Sequence, residues 1–303
     1  MTTALPEGLL LIDKPAGITS HDAVAQVRRA LGTKKVGHAG TLDPMATGLL
    51  VIGVGRATRL LRFLGELPKT YQGTFLLGVE TDTLDAEGEE VRRSSTDGVT
   101  IGAVAEAAQA LVGESMQTPP AYSAVKVGGR KLYQAARKGQ HLHADPRAVR
   151  VDRFDVAASA DGLPGIDFVI VCSGGTYVRV LAADVGAALG CGAHLTRLRR
   201  TAIGPLLVSG ATAPGEPGVP LPIAAAVAHL PKLQLEPEEA IAAGYGRILG
   251  PAGIEGPYGV YGQDGRLIGI YQDDLAKAKP EMILAEMDDP PHPGDSGATT
   301  DVR

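Results

Sequence analysis

With 303 residues, 44% of them apolar and 21% charged, the chain is long enough for one large domain plus a small one and has an ordinary globular composition. No apolar run approaches the roughly 20 residues that span a bilayer, residues 1–7 lack the pattern of a signal peptide, and Cys172 and Cys191 show no C-x-x-C spacing. A transmembrane protein, a disulfide scaffold and a zinc-ribbon site are thereby set aside, and a cytoplasmic location is expected. The net charge of −5 is uneven: residues 1–204 hold 23 Lys/Arg against 20 Asp/Glu, whereas residues 205–303 hold 6 against 14. Only the first part can attract phosphate groups, through clusters such as Arg56-Arg59-Arg62 and Arg197-Arg199-Arg200.

In chain order, Gly8 to Lys14 reads as a short buried strand stopped by Pro15. Thr19 or Ser20 then caps a helix through Leu31, with Ala23, Val24, Val27 and Leu31 on one face and Gly32 ending it. Ser20-His21-Asp22 has the letters of a hydrolase triad, but adjacent helical residues do not face one another, so capping is the reading. Gly37 to Leu50 is a glycine-rich stretch with one acid, Asp43, before a proline that holds it out of helical geometry, and it leads into an apolar strand. Asp-Pro and glycine by themselves also describe an ordinary turn. Ala57 to Leu64 is expected to be helical and Thr70 to Leu77 a strand with Tyr71 near its start.

Thr81 to Glu90 is acidic but lacks the ligand spacing of an EF-hand loop, so a solvated turn is expected. Ile101 to Val112 reads as a helix, Ala121 to Val127 as a strand after Pro119-Pro120, and Lys131 to Lys138 as a short basic helix. His141 and His143 have no third ligand at suitable spacing and read as surface histidines. Two strands are expected over 148–157 and 165–172, the second feeding a helix through Leu189. Arg179, early in that helix, gains nothing from the macrodipole and needs a partner elsewhere, with a surface ion pair the simplest. Ala213 to Pro222 reads as a linker, residues from Leu230 as a small β-rich module, and the tail from Asp288 as disordered.

The motifs Asp13-Lys14-Pro15, Gly37-His38-x-Gly40-Thr41-Leu42-Asp43-Pro44, Lys69-x-Tyr71, Thr81-Asp82-Thr83-x-Asp85, Thr118-Pro119-Pro120-x-Tyr122-Ser123, Gly175-Thr176-Tyr177-x-Arg179 and His194-Leu195-x-x-Leu198-Arg199-Arg200 occur in this order over about two hundred residues. Together they resemble the tRNA pseudouridine synthase B (TruB) family. The resemblance implies a mixed α/β (α+β) pseudouridine synthase fold with a bent, largely antiparallel sheet, and a small C-terminal PUA-like RNA-binding domain. The expected division is 1–230, 231–287 and a tail of 288–303. It implies isomerisation of the T-loop uridine of transfer RNA, position 55 in tRNA numbering, without cofactor or metal. By motif position Asp43 matches the catalytic aspartate, Tyr71 the tyrosine stacked on the base and Arg179 the arginine paired with the carboxylate. His38, Tyr177 and Leu198 match residues lining the substrate pocket. The chain departs from the family's pattern at Gly174, where a lysine is common, and at Val180, where threonine is common.

Such a reaction must break the bond from C1′ to N1, turn the uracil and join C5 to the sugar. A carboxylate beside the sugar attacks C1′ or removes a proton from it, and it must be ionised, which an adjacent guanidinium favours. The uridine has to be flipped out of its loop. The expected partner is the T arm of transfer RNA, and a monomer with no obligate protein partner is the default. A base-releasing glycosylase and an RNA chaperone are the alternatives, the first marked by free uracil and the second by having no need of Asp43.

Overall fold

The computed structural model describes residues 7–123, 125–136, 140, 142 and 144–284. His141, His143, the end of the basic helix and the tail from Asp288 lie outside these residues. The chain divides into two compact units after Leu221.

The first unit is built on a nine-stranded sheet. Its main strands are β1 (Gly8–Lys14), β2 (Val36–Ala39), β3 (Thr47–Val54), β4 (Lys69–Leu77), β5 (Gly113–Gln117), β6 (Arg147–Ala158), β7 (Gly165–Cys172) and β8 (Ala193–Ile203). They lie in the order β1-β3-β8-β4-β7-β6-β5, with β2 and residues 206–207 paired at the side. Every pairing is antiparallel except β3 with β8. Helices α1 (Ser20–Leu31), α2 (Ile101–Gln109) and α3 (Val178–Ala188) supply the apolar cover.

Local sequence explains each element. Thr19 is the N-cap of α1: its side chain accepts from the Asp22 amide while the Asp22 carboxylate accepts from the Thr19 amide, a capping box that accounts for the triad letters. Ala23, Val24 and Val27 of α1 pack on Leu10, Ile12, Leu50 and Ile52. β7 alternates buried and part-buried residues, as a strand covered on one face should. Its Ile166, Phe168 and Ile170 share a core with Phe75 of β4, Val104 and Ala108 of α2, and Leu181 and Val185 of α3.

Three expectations change. Helix α2 stops at Gln109, where Leu111 turns back to bond the Ala108 carbonyl. Among the described residues of the strand expected at 121–127 only Lys126–Val127 is extended into a pairing, with Arg130–Lys131, and the chain bends over Ala121 to Ser123 after the donor-less Pro119-Pro120. The expected linker at 213–222 is fastened at both ends to β1: Thr212 donates to Leu11 O (3.0 Å), and Leu9 and Leu221 exchange hydrogen bonds of 3.0 and 2.7 Å.

The second unit is a four-stranded sheet of β9 (Lys232–Gln234), β10 (Pro257–Tyr261), β11 (Leu267–Asp274) and β12 (Lys277–Ile283), with helix α4 (Pro237–Gly244). Tyr258 and Tyr271 form its centre, their hydroxyls donating to Asp273 Oδ1 (2.7 Å) and Arg247 O (2.9 Å). Buried phenols need such partners.

Candidate active site

Asp43 stands on the loop between β2 and β3, and its flanks are pinned from both sides. The buried Ser20 hydroxyl accepts from the Leu42 amide (2.9 Å) and donates to the Leu42 carbonyl (3.1 Å). Lys14 Nζ donates to Ile18 O (2.7 Å), Pro15 O (2.9 Å) and Pro44 O (3.2 Å). Burial lowers its pKa to about 8, with the Asp43 carboxylate pulling the other way. Arg200, fully buried on β8, donates to Gly40 O (3.0 Å) and Leu49 O (2.7 Å), tying the loop to the middle of the sheet. Opposite it, Gly48 has φ +99°, and a Cβ there would lie 2.2 Å from the Arg200 carbonyl, so only glycine lets these strands meet.

Arg179 is the second residue of α3, and its side chain is 3% exposed. The surface ion pair expected for it is therefore replaced by a buried, many-sided contact. Its Nε lies 3.0 Å from Asp43 Oδ2, close enough for an ion pair but bent away from hydrogen-bond alignment. Its Nη1 donates to Thr83 O (2.7 Å) and lies 3.3 Å from Asp85 Oδ2, and its Nη2 donates to Tyr122 O (3.0 Å). Asp85 is buried, which corrects the solvated turn expected at 81–90. The Thr83 hydroxyl and the Glu87 amide hold its Oδ1 at 2.5 and 3.1 Å.

The Asp43 side chain is 36% exposed, so the carboxylate keeps an open side. Its pKa is raised: burial dominates, Asp85 adds to it, and the Arg179 guanidinium opposes it. The guanidinium favours the ionised form as expected, and burial together with a second carboxylate outweighs it.

A cavity of about 320 Å³ opens on Asp43 and is lined by Tyr71, Tyr177, Arg179 and Leu198, together with Lys69, Ser123, Arg147 and Arg200. Tyr71 on β4 is buried, its phenol pKa raised by burial, and lies 6.0 Å beneath the Arg200 guanidinium. The main chain of Tyr177 is held by both amide atoms of Gln117, at 2.7 and 3.2 Å, and its ring stacks 4.6 Å from the Arg147 guanidinium. Lys69 is buried among the carbonyls of Leu64, Gly65 and Leu67, and burial lowers its pKa to about 8. A Cβ at Gly174 would fall 2.1 Å from Gly65 O and 3.0 Å from Lys69 Nζ, so this packing excludes a side chain at that departure. Beside the cavity and sharing Leu198 is a broader cleft of about 910 Å³, bordered by Arg197, Arg199, Gly73 and Phe168.

Of the residues expected at the site, the fold brings Asp43, Tyr71, Tyr177, Arg179 and Leu198 together. His38 lies outside that lining, on β2, with its ring edge-on to His21 at 5.6 Å between centroids. Burial lowers its pKa, and the His21 and Arg200 charges add to the effect. Lys14, Ser20, Asp85, Arg147 and Arg200 have no site role in the sequence reading, although Lys14, Asp85 and Arg200 stand in the motifs Asp13-Lys14-Pro15, Thr81-Asp82-Thr83-x-Asp85 and Leu198-Arg199-Arg200.

Among the described residues no cluster of three or more His, Cys, Asp or Glu is arranged to hold a metal, and no helix is long and apolar enough to cross a membrane. The site presents one partly open carboxylate, a buried guanidinium fixing it and an aromatic wall. That set suits acid–base or nucleophilic work on a sugar whose base stacks on an aromatic ring.

Comparison with known proteins gives three family-model matches. Residues 28–178 match the N-terminal domain of TruB family pseudouridylate synthases, 179–213 the C-terminal domain of tRNA pseudouridylate synthase B, and 230–285 the C terminus of tRNA pseudouridine synthase II. The tRNA pseudouridine synthase B of Mycobacterium sp. (strain KMS) is 45% identical over 284 residues, covering 91% of this chain and 96% of its own. That of Thermobifida fusca (strain YX) is 44% identical over 291 residues, covering 93% and 99%. Among solved structures, the archaeal box H/ACA sRNP Nop10-Cbf5 complex superposes with a TM-score of 0.69 at 22% identity, covering 92% of this chain and 86% of that one. An H/ACA RNP bound to a substrate RNA containing 2′-deoxyuridine gives 0.70 at 22%, covering 93% and 86%. At that identity the structural likeness establishes the fold.

Proposed function

The chain belongs to the TruB family of pseudouridine synthases, and from that premise we propose that it isomerises a transfer-RNA uridine, the T-loop uridine at position 55, to pseudouridine. The observation that carries this reading is the Asp43–Arg179 ion pair at a cavity walled by Tyr71 and Leu198. In the reaction the C1′–N1 bond breaks, uracil turns within the cavity, a C5–C1′ bond forms and the C5 proton leaves, while N1 takes up a proton. No other atom is gained or lost.

Each residue has a task in this scheme. Asp43 acts on the sugar, as nucleophile at C1′ or as a base, and must be ionised to do so. Arg179 holds it in place. Tyr71 stacks on the base, and Tyr177 and Leu198 close the cavity so that the detached uracil is neither lost nor intercepted by water. His38, beside the Asp43 loop, supports the RNA from which the uridine is withdrawn. The cleft bordered by Arg197 and Arg199 takes the flanking RNA backbone, and the acidic second unit contributes RNA contacts through local groups rather than net charge.

The test is to incubate an unmodified transfer-RNA transcript with the protein and map pseudouridine chemically at each uridine. The reading requires a mass-silent change at the T-loop uridine with no free uracil. Release of uracil would make the protein a glycosylase, and an unchanged transcript would leave only a binding role.

A further inference from the structure

Ser123 is a buried polar residue to which the foregoing scheme gives no task. It is 4% exposed, lines the same cavity as Asp43, Tyr71 and Arg179, and its Oγ has no hydrogen-bond partner among the described residues. Buried hydroxyls almost always have a partner, because an unmade hydrogen bond costs the full desolvation of the group.

The backbone that carries Ser123 is fixed to the catalytic elements at two points. At one end Gln117, the last residue of β5, grips the main chain of Tyr177 through both amide atoms (2.7 and 3.2 Å). At the other end the carbonyl of Tyr122, the residue before Ser123, accepts from Arg179 Nη2 (3.0 Å). The hydroxyl is therefore held in register with the arginine that holds Asp43. Of the other polar groups lining the cavity, Lys69 is engaged with three carbonyls, Arg200 with Leu49 and Gly40, and Arg179 with two carboxylates and two carbonyls.

We propose that the Ser123 hydroxyl is a hydrogen-bond partner of the extruded uridine, a residue that reads the substrate inside the cavity. A hydroxyl both donates and accepts. It fits a neutral polar atom, either on the uracil edge or at the ribose 2′-hydroxyl. The inference rests on the isomerase reading, because it needs a nucleotide in this cavity.

The test compares wild type with Ser123→Ala in turnover of T-arm RNA and in thermal unfolding of the free protein. The expected result is a roughly tenfold fall in kcat/KM, the usual size of one lost neutral hydrogen bond, with an unfolding temperature that is unchanged or slightly raised. Binding of RNAs carrying uridine or 2′-deoxyuridine at the target assigns the partner. Equal weakening of both by Ser123→Ala places the bond on the base, and weakening confined to the uridine RNA places it on the 2′-hydroxyl. Unchanged kcat/KM, or a fall that accompanies a lowered unfolding temperature, would overturn the proposal, the latter by making Ser123 a structural residue. An inactive wild type would instead refute the isomerase reading itself.

Discussion

Arg179 Nε lies 3.0 Å from Asp43 Oδ2, yet the arginine side chain is 3% exposed and the aspartate 36%. The guanidinium is a fixed inner post, and the carboxylate is the group that faces the cavity. Because the same guanidinium also reaches Asp85, Thr83 and Tyr122, it joins the Asp43 loop, the acidic turn and the segment before Ser123 at one point.

Arg179→Ala is expected to abolish turnover and to destabilise the fold. Removing the guanidinium leaves Asp85 buried without its cation, which typically costs about 3–5 kcal/mol. Denaturant unfolding should register that loss. RNA affinity, which the proposed function assigns to the outer cleft, should stay close to wild type in a filter-binding titration, while kcat drops on the order of 100-fold or more. A defect confined to binding would reassign Arg179 to phosphate contact.

Asp85→Asn bears on the titration of Asp43. The Asp85 charge helps to raise the Asp43 pKa, so its removal should move the acid limb of the pH–rate profile to lower pH. The variant also frees Arg179 to serve Asp43 alone, which acts in the same direction. An acid limb that stays in place would mean that Asp43 is not the group titrating in kcat.

Asp43→Asn should make the protein more stable at neutral pH. The folded chain holds the Asp43 proton at pH values where the unfolded chain, with a pKa near 3.8, has released it. Between those two values the folded state binds more protons, so stability falls as pH rises through that window, and the ionised carboxylate remains a net cost above it. Melting curves at pH 7 should favour the variant, and the gap should close as pH falls below the window. A variant less stable than wild type at pH 7 would mean that pairing with Arg179 outweighs burial.

Ser20→Ala removes both side-chain bonds to the Leu42 main chain and leaves a buried amide unsatisfied, at about 1–3 kcal/mol. Chemical denaturation should show that cost. Turnover should fall more than affinity, since Leu42 adjoins Asp43. Wild-type kcat in this variant would show that the loop is positioned by Lys14 and Arg200 without Ser20.

Much of this site was legible in the sequence, for identifiable reasons. By local pattern Asp43 before its proline also described an ordinary turn and Arg179 a surface ion pair; their place in the ordered set of motifs that resembles the TruB family is what marked both as site residues. The strands that alternate cleanly, such as β7, were read with their ends. β8 was not, because its exposed Arg197, part-buried Arg199 and buried Arg200 hide the period of two behind charge. The burial of Arg200, Lys14 and Asp85 depends on carbonyls and side chains far away in the chain, such as Pro44 for Lys14 and Arg179 for Asp85. No local pattern in an acidic turn such as 81–90 reports a guanidinium almost one hundred residues later. The net sign of the Asp43 pKa shift is likewise set by burial, which no local pattern reports, against the opposing pull of the expected arginine.

The central claim is that Asp43 performs the chemistry on a T-loop uridine. T-arm RNA tritiated at C5 of that uridine, incubated with wild type and with Asp43→Asn at equal RNA occupancy, tests it most directly. The wild type should release tritium to solvent as C5 joins the sugar, and the variant should bind the RNA yet release essentially none. Full tritium release by Asp43→Asn would contradict the assignment.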